Sequence, residues 1–135
     1  MKKTFLYLGI AFLAFSLQTS AQPSAKTSIS KVSPIASIKW ETKTKNIGTI
    51  AYNKPVDIYF EFANEGTLPL TILTAKASCG CTIASYPKEP LLPGQTEKIK
   101  VRYNASAKGH FKKSVTITSN AKEPTQILYF SGEVN

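Results

Sequence analysis

Cysteine is scarce in this 135-residue chain: two occur, Cys79 and Cys81, both within the stretch SCGCT. Two cysteines so close together cannot bolt one sheet to another, so any sandwich fold must be held by apolar packing. Histidine occurs once, at His110 in KGHFKK. A hydrolase needs a nucleophile, a base and an orienting group, and a lone histidine on a loop edge supplies no such set. The 8 acidic residues are scattered over outward strand positions and turns. A Gly-rich phosphate loop is absent. These absences point away from catalysis, and no catalytic residue is assigned. The longest apolar run, Phe5 to Leu17, has 13 residues, short against the roughly 20 that cross a bilayer.

What is present begins at the N-terminus. Lys2 and Lys3 precede the apolar run, and QTSAQ follows it with Thr19 and Ala21 at the positions a signal peptidase reads. Charge, apolar run and small-residue site are the three parts of a secretory signal peptide. The expected arrangement is a signal peptide over 1–21, a flexible Ser-, Pro- and Lys-rich leader over 22–34 and one domain over 35–135. The product would be periplasmic or secreted after cleavage near Ala21, with no transmembrane segment in the mature chain. No cysteine lies beside the cut, which argues against a lipid anchor. The formal charge is +9. Export argues against nucleic acid as its partner, and a well-solvated surface accounts for it.

From Ile38 onward the pattern alternates with period two. VDIYFEF sets Val56, Ile58, Phe60 and Phe62 on one face, and EKIKVRY opposes Ile99, Val101 and Tyr103 to Lys98, Lys100 and Arg102. LTILTAKA, FKKSVTITSN and TQILYFSGEV continue the pattern, and a further strand is expected around Ile38 and Trp40, followed by a turn at NIGTI. Half-buried strands read this way. No segment keeps a helical period over ten residues. Short strands punctuated by Gly, Pro and Asn at spacings near ten residues predict an all-β, immunoglobulin-like sandwich of about seven antiparallel strands.

The order FEFANEGTLPLTI, ASCGCT, PLLPGQTEKIKVRYN, GHFKKSVTITSN and LYFSGEV resembles the bacterial family known as domain of unknown function 1573. That family is similar to immunoglobulin-like domains of major sperm protein type and is abundant in exported proteins of Bacteroidota. The resemblance spans about Ile38 to Val134. It implies a fold and an exported location, and no activity. This chain departs from the pattern in KNIGTIAYNKP, where Ile47 and Asn53 stand in place of an aromatic residue and a glycine.

Cys79 and Cys81 admit four readings. In an extended strand, residues two apart lie about 6.6–6.8 Å apart on one face, the upper edge of disulfide geometry. Gly80 could let the backbone kink and close a local disulfide. The pair could instead hold copper or zinc, with His110 as the one credible third ligand if the strands run up and down. Buried free thiols and an intermolecular bridge complete the set. Two functions follow: a non-catalytic binding or scaffold module for an envelope protein or glycan, without cofactor, or a thiol redox or copper- or zinc-handling protein.

Overall fold

In the computed structural model, residues 34–135 are described. The expected signal peptide, its cut after Ala21 and all of the leader but Pro34 lie outside the described residues. Among the described residues no helix is long and apolar enough to cross a membrane.

Among the described residues eight strands form: β1 (Ile38–Trp40), β2 (Thr44–Ile50), β3 (Val56–Asn64), β4 (Ile72–Ala77), β5 (Thr82–Ser85), β6 (Thr96–Tyr103), β7 (Gly109–Ser119) and β8 (Thr125–Val134). They make two four-stranded sheets, ordered β1-β3-β6-β5 and β2-β8-β7-β4. The register along β3 and β6 pairs Ile58 with Val101 and Phe60 with Ile99. One-sided burial fixes that register, because a one-residue slip would turn every apolar side chain to water. Phe60, Ile99, Val101, Val115, Leu128 and Phe130 are all fully buried, and Phe62, Ile72 and Ile117 lie in the same core. Lys98 and Arg102 face solvent, and Lys100, half-buried, reaches Asp57 at 3.0 Å.

Two features differ from the sequence expectation. The sandwich has eight strands rather than about seven, and β2 runs parallel to β8, whereas every other pair is antiparallel. NIGTI is not a turn. It lies within β2, whose register with β8 shifts between Asn46 and Thr49. Gly48 sits at that irregularity with φ +70° and donates its N–H to Asn46 Oδ1. Glycine in a strand often marks such a bulge. The true turn comes later, and there Asn53 takes φ +55°. Asparagine is among the side chains that tolerate this left-handed backbone, which is how it stands where a glycine was expected.

Buried polar groups tie the ends of the sandwich. The Trp40 indole N–H donates to Gln126 Oε1 at 2.8 Å across the sheets. Asn64 is fully buried. Its Nδ2 donates to Leu68 O at 2.8 Å and Leu91 O at 2.9 Å, and its Oδ1 accepts from Gly66 N–H at 2.9 Å. One side chain therefore clamps the turn after β3 to the Pro-rich segment before β6.

Candidate functional site

The stretch SCGCT is where the chain leaves one sheet for the other. β4 is the last strand of the sheet β2-β8-β7-β4, and β5 is the last strand of β1-β3-β6-β5. The turn between them is anchored by its own backbone. Ser78 N–H donates to Ser114 O at 2.9 Å, Asn104 N–H to Cys81 O at 3.1 Å and Thr82 N–H to Cys79 O at 3.3 Å. Ser114 N–H returns a bond to Ser78 Oγ at 3.1 Å.

Within this frame Cys79 and Cys81 form a disulfide, with Cα atoms 5.3 Å apart. The turn draws them closer than an extended strand would. Gly80 does not act through a left-handed backbone, since it is not among the positive-φ glycines. A Cβ placed there would meet nothing within 4 Å, so the tip of the turn is open. Cys81 packs against the apolar core. Thr82 is buried, and its Oγ1 lies 3.5 Å from Cys79 Sγ and 3.8 Å from Cys81 Sγ. Disulfide sulfurs carry no proton, so the threonine hydroxyl is the donor.

The sequence places positive charge around this turn. The bordering stretches 75–85, 102–106 and 112–118 contain Lys76, Arg102, Lys112 and Lys113 and no carboxylate of their own, although Arg102 is paired with Asp57 of β3 at 2.7 Å. Lys113 shares the face of β7 that carries Val115 and Ile117 and is half-buried. No local pattern signalled this setting, which depends on how β4, β6 and β7 come together.

His110 is not brought to the cysteines. It pairs with Glu133 across β7 and β8, its side chain is 86% exposed, and Nδ1 lies 4.0 Å from Glu133 Oε2. Ser114, which binds the cysteine turn, is four residues further along β7, about 13 Å of strand. The turn before His110 does fall at the same end of the sandwich as the cysteines, since Asn104 binds Cys81, but β7 starts well before its pairing with β4 ends at Ala77 and Val115, and His110 lies on that unshared stretch. Among the described residues no group of three His, Cys, Asp or Glu side chains could hold a metal ion. Sulfurs bonded to each other also lack the thiolate charge that copper and zinc require. The donor set in this state does not fit either metal.

Two facing sheets with one parallel edge pair define the class as an immunoglobulin-like β-sandwich. The sequence model described as "Protein of unknown function (DUF1573)" matches residues 38–134, and the chain belongs to that family. No functionally curated protein is similar to the chain in sequence. Several solved structures share the fold. A protein of unknown function from Porphyromonas gingivalis W83 is 13% identical with a TM-score of 0.66, over 76% of this chain and 48% of that one. The chain thus spans about half the length of that relative. The PapD-like domain 7 of human CEP192 is 16% identical with a TM-score of 0.59, over 76% of this chain and 88% of that one. The secreted serine protease VesC from Vibrio cholerae is 12% identical with a TM-score of 0.56, over 73% of this chain and 23% of that one. At these identities the likeness concerns the fold, and a fold hosts many functions.

Proposed function

We propose that the chain is an exported, non-catalytic binding or scaffold module of the cell envelope, which holds an envelope protein or glycan along a sheet edge. One observation carries this reading. β4 and β5 are adjacent edge strands, each paired on one side only, and they expose Leu73 at 53% and Ile83 at 65%. An edge with unpaired backbone and exposed apolar side chains is a template for adding an extended segment. The isolated, outward position of His110 supports a module without acid–base chemistry.

Site-specific photo-crosslinking in the producing cell tests it. A crosslinker at Ile83 or Leu73 should give discrete adducts with an envelope component, and one at Tyr59, on the outer face of β3, should not. Mass spectrometry of the envelope fraction should find a chain starting at or near Gln22. Hydrolytic turnover of envelope peptides or glycans that a single substitution abolishes would overturn the proposal, as would retention of Met1 in a membrane fraction.

A further inference from the structure

We propose that the Cys79–Cys81 disulfide is a reversible two-electron thiol–disulfide exchange site whose partner is a dithiol. The inference stands on the construction of the turn. A bridge across one intervening residue constrains the unfolded chain little, so fold stability gives weak reason for its presence. The turn's backbone is held by Ser114, Asn104 and Thr82 independently of the sulfur–sulfur bond, so breaking that bond leaves the crossover in place. The tip is open at Gly80, and the buried Thr82 hydroxyl lies within reach of both sulfurs. The strand stretches 75–85 and 112–118 that border the turn carry Lys76, Lys112 and Lys113 and no carboxylate, whereas Arg102 is paired with Asp57; a net positive neighbourhood favours thiolate over thiol.

The sulfurs are not equivalent. Both cysteines are half-buried, but Cys81 is the one packed against the core, which makes Cys79 the sulfur an incoming thiolate reaches. Attack on Cys79 Sγ forms a mixed disulfide and breaks the Cys79–Cys81 bond. The electron pair leaves on Cys81 Sγ, where the Thr82 hydroxyl donates to the new thiolate. The second thiol of the partner, as thiolate, then attacks its own sulfur in the mixed disulfide and releases Cys79 as thiolate. The protein gains two electrons and two protons, and the dithiol becomes a disulfide. In the reverse direction the reduced pair passes two electrons to a disulfide.

The protein as purified from cells tests this with the dithiothreitol couple as probe. Native protein is equilibrated at a series of reduced-to-oxidised ratios, alkylated with iodoacetamide and weighed, and near-ultraviolet circular dichroism follows the packing around Trp40. The expected result is a smooth, reversible gain of two alkyl groups with the native signal unchanged. Thr82→Val should slow reduction about fivefold, the loss of one hydrogen bond to the leaving sulfur, and Thr82→Ser should restore it. Cys81→Ser, which leaves Cys79 free, should form a mixed disulfide with oxidised glutathione about tenfold faster than Cys79→Ser, as access governs such exchange. Thiols that appear only in denaturant, or only with loss of the native signal, would overturn the proposal. So would equal rates for wild type and Thr82→Val. A failure of the crosslinking experiment leaves all of these readouts intact, so the two proposals fail separately.

Discussion

Asn64→Ala should be among the most damaging polar substitutions in the domain. The side chain is fully buried and makes three hydrogen bonds, to Leu68 O, Leu91 O and Gly66 N–H. At about 1 kcal/mol net for each, their loss costs about 3 kcal/mol. The penalty for stranded partners is limited, because Leu91 O keeps the bond from Leu70 N–H at 2.8 Å and Leu68 is exposed enough for water. A total of about 3–4 kcal/mol is a large share of the roughly 5–15 kcal/mol that holds a domain folded. Urea unfolding should show the midpoint falling by about 2 M at a slope near 1.5 kcal/mol/M. Asn120→Ala is the control. That side chain makes comparable bonds, accepting from Thr71 N–H at 2.8 Å and donating to Pro69 O at 3.0 Å, but it is exposed, so its loss should cost less than about 1 kcal/mol. Asn64→Asp adds a pH signature. A buried carboxyl facing two carbonyls favours its neutral form, so its pKa rises above the unfolded value near 4. The variant should therefore be relatively more stable below pH 4 and lose stability as pH rises past it. Equal costs for Asn64→Ala and Asn120→Ala would mean that burial does not set the strength of these bonds.

Glycine substitutions should separate sharply by site. An added Cβ at Gly66 would run into Ile35 O and Ser37 N, and at Gly132 into Gly48 O, whereas at Gly80 nothing lies within 4 Å. Gly66→Ala and Gly132→Ala should each lower the thermal midpoint clearly, and Gly80→Ala should leave the unfolding free energy within about 0.5 kcal/mol of wild type. Phe60→Ala should cost about 3–5 kcal/mol by chemical denaturation, since the ring is fully buried between the sheets. The carboxyl of Asp57 is held below its ordinary pKa by hydrogen bonds from Arg102 and then Lys100. Its contribution is present above the unfolded value near 4 and is lost as pH falls through the lowered folded value. Asp57→Asn should flatten that acid limb of a stability–pH curve.

The sandwich could be read from the sequence wherever one face of a strand is buried. Val101 and Lys100 alternate because one meets the core and the other meets Asp57. β2 escaped because it is a polar edge strand whose bulge at Gly48 looks like a turn, and because parallel pairing with β8 joins opposite ends of the chain. Asn64 is one of the asparagines that punctuate the strand pattern. Its burial comes from the segment around Leu91, 27 positions away, which no local pattern could supply. The spacing of Cys79 and Cys81 was plain, but their partner was not. The conformation of one turn decides between a bridge and two separate thiols, and the stretch of β7 that lies beyond its pairing with β4 keeps His110 from joining them.

If apolar packing holds this sandwich and leaves the cysteine pair free for exchange, the wild-type protein should unfold in urea much the same with the disulfide intact and with it reduced. Two cooperative transitions are expected, with free energies that differ by no more than about 2 kcal/mol, the small term for closing a three-residue loop. A reduced protein already unfolded in buffer would make the pair a structural staple.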